Sequence, residues 1–279
     1  MKKLYKAGFI SIVITLMFVP TICQAFSSAT HIYIADKVFK PTRNKIDLYY
    51  GSMAPDIALY VANKAQWPSA FLDTHYIYMD LRPYTQNRIQ TAFAKGWLTH
   101  NEEWGADHYA HIEYPLESGN DGYVINKADE LCKEFPTMLN PEFAHFAIEV
   151  AIDLLLKNDD PSLGGKLLFA NLFRSWQDRN LLANVLVWQK HRTNWLTLAM
   201  SELAFRNLIH QYALAFALPG QQAKDALAEL GVQLASDMYG IEGVTPAQLL
   251  VILNAAINLC SVDYQDVINY TIDQIKNGL

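Results

Sequence analysis

Residues 96–111 read GWLTHNEEWGADHYAH and place His100, His108 and His111, three of the chain's eight histidines, among Glu102, Glu103 and Asp107. Imidazole nitrogens and carboxylate oxygens are donors that zinc accepts, so the first chemistry this spacing suggests is metal binding. If the stretch is one helix, Asp107 and His111 lie within about 20° of the direction of His100, and His108 points about 80° away. The same helix would separate His100 from His111 by about 16 Å, too far for one ion to hold both. A continuous helix therefore predicts two neighbouring metals, with Asp107 and His111 at the closer i, i+4 spacing. Gly105 can bend that helix. Glu103, three residues after His100, is the alternative carboxylate if Asp107 is not a ligand. Glu102 and Glu103 otherwise read as solvated, and His108 is ambiguous.

Further donors lie on either side. His145 and Glu149 stand at i, i+4 in HFAIE, on the same side of an otherwise apolar helix, where a charge is costly unless it is paired or binds a cation. Asp56 follows Pro55 in GSMAPD, His75 sits in LDTHY, and His31 falls in FSSATHIYIADKVF, whose helix begins near Ser28 or Thr30. Taken singly, each of these also fits a helix cap, a surface pair or a hydrogen-bonded core histidine. His191 and His210 have no carboxylate at i±3 or i±4 and read as ordinary polar residues.

The elements that must position these donors read as helices almost throughout. Asn140-Pro141-Glu142 and Thr245-Pro246 are helix starts, each a capping residue followed by proline at the first position. Residues 180–215 read as one or two long amphipathic helices and 221–236 as another, while 113–129 is the longest loop-like stretch. Strand-like alternation is scarce, and no linker rich in proline, glycine or serine divides the chain. The expectation is one all-α, multi-helix domain.

Composition narrows the setting. The 279 residues are 51% hydrophobic and 18% charged, with a net charge of −6, which is globular and carries no basic footprint for nucleic acid. Lys2, Lys3 and Lys6 precede an apolar run ending at Pro20, followed by Thr21-Ile22-Cys23-Gln24-Ala25. That is the pattern of a secretory signal peptide over residues 1–25, cleaved after Ala25, and the run is too short to favour a membrane anchor. Removing it takes away three lysines and no acid, leaves a charge of −9 and makes Phe26 the first residue. The expected location is periplasmic or secreted. Of the cysteines, only Cys132 and Cys260 would remain, and their spacing specifies no pairing by itself.

In their order, Phe26, His31, Asp56, His75, His100, Asp107, His111, His145 and Glu149 resemble the zinc-dependent phospholipase C family. That family includes the catalytic domain of the GPI-specific phospholipase D and has the single-strand-specific zinc nucleases as structural cousins. Its pattern is a free N-terminus, an early His, an Asp, a lone His, a helix with His, Asp and His, and then His-x-x-x-Glu. The match covers about residues 26–155, and the helices that follow would be additions at the C-terminal end. The resemblance implies three zinc ions in a cleft between helices. One would be held by the Phe26 amine and carbonyl with His31, another by Asp56, His75 and His100, with Asp107 bridging these two. The third would take His111, His145 and Glu149. Trp104 stands where the family carries its aspartate, and a three-residue insertion would bring Asp107 to that role.

The activity implied is hydrolysis of a phosphate diester in a phosphatidylcholine-like lipid at a membrane surface, with Asp56 doubling as a base and no nucleic acid as partner. Tyr60, Phe71, Tyr76 and Trp104 would be candidates to cage a choline cation. A single-strand nuclease with the same cluster, or an exported helical binding protein with a vestigial site, are the alternatives.

Overall fold

The short backbone distance between two helices sets the orientation of one donor in the centre. Helix α2 (Lys45–Met53) lies against α3 (Arg88–Leu98), and a Cβ at Gly51 or Gly96 would run into the facing backbone of Phe93 or Leu48. Glycine at both positions lets the helices touch, which brings the Ser52 carbonyl, one of the free carbonyls ending α2, within 2.8 Å of His100 Nδ1.

The computed structural model describes residues 26–39, 43–76, 79–113 and 121–279; the signal-peptide reading of residues 1–25 lies outside them. The remaining α-helices are α1 (Ser28–Val38), α4 (Ala106–His111), α5 (Tyr123–Glu134), α6 (Pro141–Asp159), α7 (Leu163–Phe173), α8 (Trp176–Leu182), α9 (Trp195–Ala217), α10 (Gly220–Tyr239), α11 (Pro246–Cys260) and α12 (Tyr264–Gly278). Short 3₁₀ and π turns join them, and no strand occurs among the described residues. The chain is a single all-α domain, as its patterning predicts.

Helix α6 is the spine. Asn140 Oδ1 caps it by accepting from the Phe143 N–H at 2.8 Å, with Pro141 at the first position. Residues 147–156 are buried without a break, because α5 and α11 pack along it while α1 and α10 make smaller contacts. Helices α7, α9, α10 and α11 continue the packing in sequence order, and α9 also backs the 3₁₀ turn Ala54–Tyr60. No single helix among the described residues is long and apolar enough to cross a membrane.

One reading of the sequence is corrected. Residues 123–129, expected within a loop, open α5: Tyr123, Val124, Lys127, Ala128 and Leu131 form a buried stripe that the many polar residues between them conceal. Of the one or two helices expected over 180–215 the structure has two helical segments, with a turn over 190–194 between a π-helical segment (Ala183–Gln189) and α9. Cys132 and Cys260 are both free thiols.

One buried pair gives the fold a pH dependence of its own. Asp178, in the capping box that starts α8, meets Asp47 of α2. Burial raises both carboxyl groups and the charge of Asp47 raises Asp178 further, so the pair holds a proton at neutral pH. The folded state keeps this proton where the unfolded chain, titrating near 4, has released it. The stability it contributes is therefore complete below about pH 4 and lost as pH rises through the raised value. Asp178→Asn keeps the cap acceptor and supplies a permanent donor to Asp47. At pH 8 it should raise the melting temperature by about 2–4 °C, and at pH 4 the two proteins should melt alike. Equal melting curves at pH 8 would show that the pair carries no shared proton.

Candidate metal centre

The stretch 96–111 is not one helix. Helix α3 ends at Leu98, a turn covers 99–105 and α4 begins at Ala106. Across the turn the Ala106 N–H donates to the Thr99 carbonyl at 2.8 Å and the Asp107 N–H to the His100 carbonyl at 2.9 Å. These bonds reach back seven residues where a helix reaches back four, so three extra residues are looped out. Asn101 shapes the loop: its Oδ1 accepts from the N–H groups of Glu103 and Trp104 at 3.0 Å, and its Nδ2 donates to the Leu98 carbonyl at 2.9 Å. A Cβ at Gly105 would lie 2.5 Å from the Asn101 carbonyl oxygen, so the turn closes only with glycine there. The 16 Å helical separation of His100 and His111 does not apply, because no continuous axis joins them.

The loop brings Asp107 back beside His100. His31 on α1, Asp56 in the 3₁₀ turn, His75 in the π turn Leu72–Tyr76, His100 and Asp107 form one buried cluster, in which Asp56 is the most exposed at 7%. Asp107 Oδ2 lies 3.2 Å from His100 Nε2 and 3.8 Å from His75 Nε2, and its Oδ1 lies 3.6 Å from His31 Nε2. Asp56 Oδ1 lies 3.3 Å from His75 Nε2 and 3.4 Å from His100 Nε2.

Outer hydrogen bonds aim the rings. His100 Nδ1–H donates to the Ser52 carbonyl at 2.8 Å. Thr74 Oγ1 donates to the Ala70 carbonyl and is left to accept from His75 Nδ1 at 2.7 Å. With Nδ1 so bonded, each ring turns its Nε2 toward the carboxylate oxygens. Electron-rich atoms converge there from several elements, and neither oxygen of Asp107 nor either nitrogen of His31 has a hydrogen-bond partner among the described residues. No lysine or arginine among the described residues pairs with these carboxylates. Such a set is costly to bury unless a cation or a proton balances it.

The electrostatics show the same demand. Burial would lower His100, but Asp107 and Asp56 outweigh it and hold the ring well above the ordinary histidine range. Burial would raise Asp56, but His100 and His75 hold it below the carboxylate range. His31, buried and stacked on His100 at 4.0 Å between ring centroids, is driven down to about 3 first by burial and then by His100. In the absence of metal, one proton on His100 serves as the cation.

A second cluster adjoins the first. His111 Nε2 lies 3.4 Å from His145 Nε2, which lies 3.0 Å from Glu149 Oε1. Burial, with the charges of Asp56, Asp153 and Asp107, raises Glu149 well above the carboxylate range. Phe26 is buried and lines a small cavity together with Asp56.

Two residues escaped the sequence reading. Glu102, taken as solvated, is buried, with Oε1 3.5 Å from His111 Nδ1, and Glu102, Asp107 and His111 present ligand atoms within 4.8 Å of one another. Its inward turn depends on the looped backbone, where the Glu102 N–H donates to the His75 carbonyl at 3.2 Å, and no helical spacing reports it. Glu103 points to solvent. Asp153 continues the line His145, Glu149, Asp153 at four-residue steps on α6. It accepts from Ser27 Oγ at 2.6 Å, Thr30 N at 2.8 Å, Thr30 Oγ1 at 2.6 Å and Tyr212 Oη at 2.7 Å, pinning the start of α1 to the spine. That four-residue step was visible in the sequence.

The remaining candidates lie apart. His108 bonds to the Glu102 carbonyl at 3.0 Å and to Glu113 at 3.1 Å, and His191 is exposed. Trp104 packs on the end of α12 at Gly278 and leaves the suggested choline cage. Tyr60 is buried against Phe205, while Phe71 stacks on His75 and lines, with Tyr76, the cleft that reaches Glu102 and His111. The donor set, nitrogen and oxygen ligands with orphaned buried acceptors, fits zinc. No family model, curated protein or solved structure matches the chain.

Proposed function

We propose that this chain is an exported metal-dependent phosphodiesterase of the zinc-dependent phospholipase C type, acting on a phospholipid. The observation that carries the reading is the convergence of Asp107, Asp56 and the Nε2 atoms of His75 and His100 in a buried cluster that no lysine or arginine among the described residues balances. Zinc would be held by His31, Asp56, His75, His100 and Asp107, and by His111, His145 and Glu149, with Glu102 beside His111. The Phe26 amine would complete the set once cleavage after Ala25 exposes it. Bound there, zinc would supply Lewis acidity, balancing charge on the phosphate oxygens and making a water acidic enough to ionise near neutral pH.

The chain's own residues do the rest. Asp56 lines a cavity beside Phe26, where its carboxylate would orient the attacking water and take a proton that the metal has made acidic. The outer bonds from Ser52 and Thr74 keep the His100 and His75 rings from turning. Trp67, Phe71 and Ile112 give the cleft apolar walls, and Leu72 and Tyr76 at its rim are about half exposed, at 50% and 49%. An apolar rim around a polar floor suits an amphiphile, and a net charge of −6 does not suit a polynucleotide. These two facts favour a lipid over single-stranded DNA.

A side-by-side assay of phosphatidylcholine, a short water-soluble phosphodiester and single-stranded DNA tests the proposal. Both diesters should be hydrolysed and the DNA left intact, and His145→Ala should cost about 100-fold or more of the turnover. DNA cleavage outpacing lipid cleavage would make the protein a nuclease. No turnover of any substrate by the metal-loaded protein would make it a binding protein.

A further inference from the structure

The segment from Trp188 to Leu196, WQKHRTNWL, has no part in the metal centre, yet it combines exposed apolar and basic side chains. Trp188, Trp195 and Leu196 are 65%, 50% and 64% exposed, and between them stand Lys190, His191 and Arg192, all exposed, on a chain whose net charge is −6. Large apolar side chains left in water by a folded protein mark a partner surface, and tryptophan beside lysine and arginine is the composition of a lipid–water interface.

The segment is built rigidly. The Arg192 N–H donates to the Leu186 carbonyl at 2.7 Å, His191 takes the left-handed φ of 51° that turns the chain, and Asn194 caps α9 by accepting from the Thr197 N–H at 2.9 Å. It is also tied to the mouth of the cleft. Arg192 Nε lies 3.3 Å from Asp73, in the same turn as His75, and Thr197 Oγ1 donates to Gln66 Oε1 at 3.1 Å. The exposed Leu72 and Tyr76 belong to that turn, so its apolar surface adjoins the opening toward Glu102 and His111.

We propose that residues 188–196 are a docking element for an anionic lipid surface, seating Trp188, Trp195 and Leu196 among the headgroups while Lys190 pairs with lipid phosphates and Arg192 holds the segment to Asp73. The charge decides the partner: a local excess of basic residues on an acidic protein is complementary to an anionic bilayer, and a second copy of the same segment would repel it. The inference rests on the lipid reading above for its purpose, since docking here would bring the cleft down onto the substrate.

The experiment measures partition of the metal-loaded protein onto vesicles of phosphatidylcholine with and without phosphatidylglycerol, alongside turnover of the water-soluble diester. Wild type should bind the anionic vesicles more tightly, with a blue shift of tryptophan fluorescence and loss of binding at high salt. Trp188→Ser with Leu196→Ser should weaken partition about 10-fold or more, and Lys190→Glu about 25-fold at low salt, from roughly 5-fold for each of the two units of charge it removes. All variants should turn over the soluble diester as wild type does. Partition of the double variant equal to wild type, or dimerisation of wild type through this segment without vesicle binding, would overturn the proposal. Vesicle binding without turnover would sink the phosphodiesterase reading alone, and turnover of the soluble diester without vesicle binding would sink the docking element alone.

Discussion

Stripping the proposed zinc from this protein is expected to lower its melting temperature by about 15 °C or more. The centre gathers Asp56, Glu102, Asp107 and Glu149, each at most 7% exposed, and among the described residues none of them pairs with lysine or arginine. Buried carboxylates without a countercharge cost several kcal/mol each, and protonation of His100 offsets only part of that. An ion bound to the folded state alone contributes about 4 kcal/mol at a thousandfold excess over its Kd. A chain of this size shifts by about 2 °C per kcal/mol, so two or three ions account for the change. Calorimetry after dialysis against a chelator measures it. Zinc should restore the transition and calcium should not, because the donors include five imidazoles where calcium takes oxygens. A melting curve indifferent to the chelator would remove the metal centre from the proposal.

Asp107→Asn should abolish turnover, with a fall of about 1,000-fold or more and loss of bound metal. Among the described residues Asp107 is the carboxylate within 3.8 Å of His31, His75 and His100 together, so a neutral amide of the same shape removes the charge all three surround. The fold should survive, because the substitution deletes a buried charge without opening a cavity. Glu102→Gln should cost about 10- to 100-fold, as a group beside one ligand, and Glu103→Gln should stay within about 2-fold. Metal analysis and turnover of the soluble diester together decide it. Activity kept by Asp107→Asn, or an equal loss in Glu103→Gln, would show that the bridging carboxylate has been misassigned.

The looped turn explains why the line between sequence and structure falls where it does. Helical periodicity and caps are local, so the start of α1 near Ser28, the Asn140 cap and the i, i+4 pair His145 and Glu149 were legible from composition and spacing, as was the all-α class. The order of donors from Phe26 to Glu149 was also legible, though the order alone gives no distances. The course of residues 99–105 could not be read, because seven-residue backbone bonds break the periodicity on which that reading depends. Glu102, Glu103 and Asp107 are alike as sequence. Only the loop decides that the first turns inward to His111, the second faces water and the third lies among three imidazoles.

Helix α11, packed along α6, and helix α9, packed behind the Asp56 turn, are silent in the sequence as far as the centre is concerned, yet they hold both elements in place. Tyr212 of α9 reaches Asp153 and helps to hold α1 in place. Local chemistry chose the donors and the helices. The backbone contact of α2 with α3, the three-residue loop and the packing around α6 decided which donors meet, because those contacts join residues far apart in the chain.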